Sequence, residues 1–322
     1  MTIHWFGGEE IDFPNPSVPN ASTLTSYRRS TYSREAVYVS SATSKGHWTN
    51  RIGELKSGEL WLSFCLYNYT GSGSGYDGYA SLVSGETLDG WAIGRSSNYL
   101  ALGKFTAGAF SWVASSTEDL HTPGITEQLH MYINYAASGE IKLYRGSTLA
   151  YTYSGEVMLS GVNGFNMIQF TGDSNYSAFS EFIFGTENTF YKAVKTLAPS
   201  AAGDTNEWHG AYTDIDETGY TDSDFIYSDG SGETFLCNLT GMPTGTWTID
   251  GVRLASRVLP VPTGRGIKLG VKTGGASFSG ELYSEPSSDT IEKIYFTNPN
   301  TSSAWTSGEV ESLQFLLKTE AA

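Results

Sequence analysis

The sequence predicts an all-β protein: a two-sheet jelly-roll sandwich followed by a smaller C-terminal β-sandwich with one short helix. Three observations predict it. The composition is 14% aromatic with 37 glycines and only 16% charged residues, which suits Tyr- and Trp-rich strands joined by glycine turns. Short runs of period-2 alternation recur along the chain, whereas helical spacing is confined to the C-terminal end. At 322 residues the chain exceeds what one core ordinarily serves, so two domains are expected.

The stretch "LHMYINYAASGEIKLYRGSTLAYTYSG", residues 129–155, shows the pattern most plainly. Leu129, Met131, Ile133 and Tyr135 alternate with His130, Tyr132 and Asn134, then Ala137-Ser138-Gly139 turns the chain. Ile141 and Leu143 alternate with Lys142 and Tyr144, and Arg145-Gly146-Ser147 turns it again. Strands are expected near 35–40, 59–67, 78–83, 90–95, 98–105, 109–115, 128–136, 140–145, 148–153, 164–170 and 178–184. In "WLSFCLY" both alternating sets, Leu62, Phe64, Leu66 and Trp61, Ser63, Cys65, Tyr67, are largely apolar. Such a strand is either central and covered on both sides or lines a concave face. Residues 1–34 read as an N-terminal segment, 35–185 as the sandwich, 185–189 as a short joint and 190–322 as the second module. In that module strands are expected near 191–198, 223–228, 233–239, 247–259, 266–273 and 290–297. Thr306 and Glu309 form a capping-box pattern that predicts a helix near 307–312, before a last strand through Leu313, Phe315 and Leu317.

A formal charge of −15 argues against a nucleic-acid partner, since phosphates attract basic surfaces. Met1–Glu10 lacks the basic start and apolar core of a signal peptide, and no apolar run approaches about 18 residues. Synthesis in the cytoplasm without membrane insertion is expected. Cys65 and Cys237 sit in separate strand-like runs and read as small buried hydrophobes, not as a disulfide framework.

"GELWLSFCLY" and "LHMYINYAASGEIKLYRG" resemble the long core strand and central hairpin of concanavalin A-like, laminin-G-like lectin and glucanase sandwiches. Downstream, "FSEFIFGTENT", "VKTLAPSAAGDTNEW", "DIDET" and "AWTSGEVESLQFLLK" follow in that order. This series is similar to a group of tailed-bacteriophage virion proteins, often assigned to the tail, that carry such a sandwich before a C-terminal β module. The resemblance spans residues 35–320 and implies a structural protein of the virion surface. It implies other virion proteins as partners, with homo-oligomers and a bacterial surface glycan as further expected contacts.

Because the sandwich class includes glucanases, cleavage of polysaccharide is the rival reading. Retaining hydrolysis needs two carboxyl groups about 5 Å apart, and related glucanases place them as Glu-x-Asp-x-Glu on one strand face. Here Glu10 and Asp12 are followed at the next same-face position by Pro14, so no enzymatic activity is expected. "GSGSG" at residues 71–75 matches a nucleophile elbow in letters but lies in a Gly/Ser loop with no helix after it. His4, His47, His121, His130 and His209 show no metal-ligand spacing, and no cofactor is implied. Asp214, Asp216, Thr218 and Gly219 imitate the start of a calcium loop, yet Phe225 occupies the position that needs a bidentate Glu, leaving at most a looser calcium site.

The loop "YNYTGSGSGYDGY", residues 67–79, has the composition of a binding loop, with flat amphipathic Tyr on adaptable Ser/Gly backbone. Tyr69, Tyr76, Tyr79 and Trp91 are candidate stacking platforms for a sugar, with Asp77 and Asn68 as hydroxyl acceptors. The alternative is a plain connection between strands. Trp48, Trp61 and Trp112 read as core. In the second module, residues 204–233 hold nine acidic residues and no Lys or Arg, whereas 251–280 hold Arg253, Arg257, Arg265, Lys268 and Lys272 and no acid. The two stretches either fold onto one another or form a contact between copies in which Asp214 and Asp216 face Arg253, Arg257 and Arg265. A decoration or joint protein that touches only neighbouring subunits is the third reading.

Overall fold

A computed structural model of the chain describes residues 3–7, 37–39, 45–48, 58–68, 78–84, 87–120, 126–162, 164–165, 167–172, 177–216, 223–259, 263–284 and 289–322. The chain divides into two compact units, Met1–Val194 and Lys195–Ala322.

The first unit contains β1 (Ile3–Gly7), β2 (Val37–Val39), β3 (Lys45–Trp48), β4 (Gly58–Asn68), β5 (Gly78–Val83), β6 (Gly90–Ser96) and β7 (Tyr99–Thr106). They are followed by β8 (Ala109–Asp119), β9 (Thr126–Tyr135), β10 (Gly139–Arg145), β11 (Thr148–Gly155), β12 (Met167–Gly172) and β13 (Ser177–Gly185). One sheet has the order β1-β13-β4-β9-β10-β11, with β2 also on β13; the other has the order β3-β12-β5-β6-β7-β8. Pairing is antiparallel in both, the two-sheet jelly-roll arrangement.

Strand β4 decides the character of this unit. Its Leu62, Phe64 and Leu66 are fully buried, with Phe64 stacked on Phe182 at 5.5 Å and tilted against Phe179 at 5.8 Å. On the opposite side, Trp61 is buried too, beneath Tyr132 at 5.0 Å, Tyr144 at 5.8 Å and Phe190 at 5.3 Å. Of the two environments open to such a strand, β4 therefore occupies the central, doubly covered one.

The segment that supplies Phe190 shifts the joint. After Gly185 the chain does not leave the sandwich: Thr189 Oγ1 lies 2.8 Å from His130 Nδ1, and Gln128 Nε2 donates to the Lys192 carbonyl at 3.1 Å. Residues 186–194 thus stay on the first unit, and the strand expected near 191–198 does not form. At the other end, β1 pairs with β13, so these residues are part of the sandwich instead of a separate leading segment.

Strand β13 carries one extra residue relative to β4 between Ser180 and Ile183, a bulge in which Glu181 takes φ 54°. Before the bulge the free edge of β13 pairs with β2, through residues 177–179; after it the same edge pairs with β1, through residues 182–185.

The second unit comprises β14 (Pro199–Asn206), β15 (Thr234–Leu239), β16 (Val252–Val258), β17 (Arg265–Thr273), β18 (Ala276–Ser284), β19 (Asp289–Tyr295), α1 (Ser307–Glu311) and β20 (Gln314–Ala321). A five-stranded sheet of order β14-β15-β20-β17-β18 is joined by a β16-β19 pair, and Phe235, Leu254, Leu269, Ile291, Trp305 and Leu317 meet in the core. The expected capping box is present: Glu309 N–H donates to Thr306 Oγ1 at 3.3 Å, and Thr306 N–H donates to Glu309 Oε2 at 2.8 Å. No strand forms over 223–228, where Tyr227 makes only an isolated bridge to His209. Both cysteines are buried, and burial pushes the Cys237 thiol up to about 12.

Two outcomes follow. Phe64→Ala removes the ring between Phe179 and Phe182 and should lower stability by about 3–5 kcal/mol, read by urea unfolding. Four carboxylates of the second unit are held below their ordinary range: Asp204 by Lys272, Glu233 by the Ser228 hydroxyl, Glu309 by the Thr306 amide and Glu320 by Lys268. A depressed folded pKa contributes stability that is complete above the ordinary carboxylate range and is lost as pH falls through the folded values. Stability measured from pH 7 downward should therefore fall on the acid side, and Glu233→Gln should flatten that fall. An unchanged acid limb in the variant would remove Glu233 from the account.

Candidate functional site

The six-stranded sheet has one face on which small residues alternate with aromatic rings. Strand register sets Ser81, Ala92, Gly103 and Trp112 in one row across β5, β6, β7 and β8, and Val83, Gly90, Phe105 and Phe110 in the next. Directly opposed residues project to the same face, which thus carries small Ala92 and Gly103 beside a buried cluster of Tyr79, Val83 and Phe105, with Leu88, Phe110 and Trp112 packed against it.

Aromatic rings fill the room the glycines leave. Phe110 lies over Gly103 so closely that a Cβ there would stand 2.4 Å from its ring. Tyr79 stacks on Phe110 at 4.0 Å and 15°, and Trp112 meets Phe110 edge-on at 4.9 Å and 84°. Tyr79 is buried, whereas Phe110 and Trp112 are half-buried. The result is a shelf on the last strand of the sheet, backed by a buried tyrosine. Between Leu102 and Gly103 the β7–β8 register shifts, leaving Val113 as the extra residue, 41% exposed. A half-buried indole with a second ring edge-on beside it has the chemistry to stack on the apolar face of a sugar ring.

The expected platforms fare differently. Trp91 is 1% exposed; its Nε1 donates to the Val157 carbonyl at 2.9 Å, and Tyr153 lies 5.6 Å away. It faces the interior because it stands opposite Leu82, in the row that meets the other sheet, so the stacking role expected for Trp91 is corrected to a core role. Tyr79 supports the shelf from beneath, with no face left for a ligand. Trp112, expected in the core, is half-buried and packs against the core cluster of Tyr79, Val83, Ala92 and Phe105. Tyr69, Tyr76 and Asp77 lie outside the described residues; the loop that holds them leaves β4 at Asn68 and enters β5 at Gly78, next to Tyr79. Glu10, Asp12 and Pro14 also lie outside the described residues.

The residues expected at an assembly contact are partly occupied within their own unit. Arg253 is paired with Glu292 at 2.6 Å with its side chain only 7% exposed, since β16 and β19 place the two side by side. Presentation of Arg253 to a neighbour is corrected to an ion pair inside the fold. Arg265 Nη1 donates to the Ser228 carbonyl at 3.3 Å, Arg257 stands opposite Thr290, and Lys272 pairs with Asp204. Asp214 accepts the Ala211 N–H at 2.9 Å, closing a 3-10 turn over Tyr212–Asp214, and Asp216 is exposed. Among the described residues no three His, Cys, Asp or Glu side chains converge to hold a metal ion.

No family model matches the chain, and no curated protein matches it in sequence. Solved structures similar to it include the globular domain of T. cruzi calreticulin, at 10% identity and TM-score 0.39, covering 58% of this chain and 89% of that one. An endo-beta-1,4-glucuronan lyase from the fungus Trichoderma reesei is similar at 12% identity and TM-score 0.42, covering 58% and 96%. The carbohydrate recognition domain of Emp46p, in a metal-free form, is similar at 10% identity and TM-score 0.37, covering 56% and 99%.

Gly103→Ala should displace Phe110 from the sheet and destabilise the protein by about 1–3 kcal/mol. Val113→Thr, on the exposed bulge, should stay within about 0.5 kcal/mol. Chemical denaturation checks both, and equal stability of Gly103→Ala would show that the ring has room to move.

Proposed function

We propose that the chain is a non-enzymatic surface protein of a tailed-bacteriophage virion, a tail or fibre component whose sandwich contacts a host glycan and whose second unit joins neighbouring virion proteins. The observation that carries the glycan half is the Phe110–Trp112 pair packed over Gly103. In this reading Trp112 stacks on the sugar, and Tyr69, Tyr76 and Asp77 are its further candidate contacts. The virion half rests on the ordered motifs Phe179–Thr189, Val194–Trp208, Asp214–Thr218 and Ala304–Lys318. The non-enzymatic part rests on Pro14, which stands where a second carboxylate of a glucanase strand would be.

Stacking on one platform with a few hydrogen bonds gives weak affinity, and many copies on one particle convert it into firm attachment. On an array of bacterial surface glycans the clustered protein should bind, and Trp112→Ala should remove the signal at a temperature well below the variant's own unfolding midpoint, which the lost packing on Phe110 and Tyr79 should lower. The same glycans should release no new reducing ends. Signal that survives both Trp112→Ala and the Tyr69→Ser, Tyr76→Ser pair would place the contact elsewhere. A blank array for protein found on particles by immunogold labelling would favour a decoration or joint role instead.

A further inference from the structure

The second unit carries a cluster of rings on its surface that the fold does not use. Phe225 and Tyr227 are each 48% exposed, with ring centres 6.3 Å apart. His209 lies parallel to Tyr227 at 4.6 Å and 17°, fixed there by reciprocal backbone bonds of 2.8 and 3.1 Å between the two residues. Its Nε2 is 2.8 Å from Asp229 Oδ2, and that carboxylate is 72% exposed. Isolated surface aromatics are ordinary, but here a backbone bridge holds the His209 and Tyr227 rings parallel, and Phe225 adjoins Tyr227 at a tilt of 57°.

Charge indicates what would cover it. The rings belong to the stretch of residues 204–233, which has nine acidic residues and no Lys or Arg. Of the unit's cations, Arg253 pairs with Glu292 and Lys268 and Lys318 with Glu320, while two reach the acidic stretch itself: Lys272 pairs with Asp204, and Arg265 Nη1 donates to the Ser228 carbonyl at 3.3 Å. We propose that the Phe225–Tyr227–His209 stack with Asp229 is a docking site for an arginine-bearing segment of a partner protein. A guanidinium is planar, so it can lie on the Tyr227 or Phe225 face while donating to Asp229, whose carboxylate has acceptor capacity beyond the His209 bond. A lysine ammonium lacks the plane and satisfies one of these contacts at a time. The site depends on neither the glycan shelf nor the virion reading.

The test is calorimetric titration of the full chain with a synthetic peptide of alternating Gly and Arg, beside its Gly and Lys counterpart. The arginine peptide should bind at least several-fold more tightly, with affinity falling as salt rises from about 50 to 300 mM. Phe225→Ser with Tyr227→Ser should abolish binding at an unchanged unfolding midpoint, and Glu311→Gln, on the short helix, should leave it intact. Equal binding of the two peptides, or binding that survives the double variant, would reduce the effect to general attraction by an acidic chain and overturn the proposal. Concentration-dependent self-association that disappears in the double variant would also overturn it, by making a second copy the occupant.

Discussion

The sandwich depends on a single strand that is covered on both sides. With Leu62, Phe64 and Leu66 against one layer and Trp61 against another, β4 cannot stand at an edge or face water. This fixes β9 and β13 as its neighbours and requires something to lie over Trp61. That something is Phe190, carried by a segment without regular structure that follows the last strand of the sandwich. Once Phe190 is committed there, Thr189 is held at His130 and Lys192 at Gln128, and the boundary between the units moves to Val194. A burial requirement in one strand thus sets where a domain ends more than a hundred residues later.

Much of this was legible in the residues. The alternation and turn chemistry of 129–155 mark β9, β10 and β11 because each is apolar on one face and polar or aromatic on the other. The Thr306 and Glu309 pair marks α1 because a capping box is a local arrangement that needs no tertiary partner. β14, "PSAAGDTN", and β18, "ASFSGELYS", escaped because they are sheet edges built of small and polar residues, kept extended by their neighbours instead of by their own pattern. β1 and β3 escaped for a related reason: strands of four or five residues whose partners lie far along the chain give little local signal.

The site was legible only as a composition. Trp91 and Trp112 look alike in sequence, each inside a short strand with small neighbours. What separates them is the residue across the ladder: Leu82 beside Trp91 on one face of the sheet, Gly103 beside Trp112 on the other. Cross-strand register is a property of pairs, and a single strand cannot declare it. The same holds for the charged stretches of the second unit. Their opposite signs are plain in the sequence, but β16 and β19 decide that Arg253 meets Glu292 at home.

The bulge at Glu181 bears on the order in which the sandwich is made. By breaking the edge of β13 into two lengths, it lets β2 and β1 pair there end to end, each with residues some 140 to 180 positions later in the chain. Such contacts close the longest loops of the unit, and loop closure of that length is entropically late. On a ribosome, β1 and β2 emerge first and remain without their sheet partner until Gly185 has cleared the tunnel. The N-terminal strands therefore gain their sheet partner only after the central strand and both of its neighbours have been made.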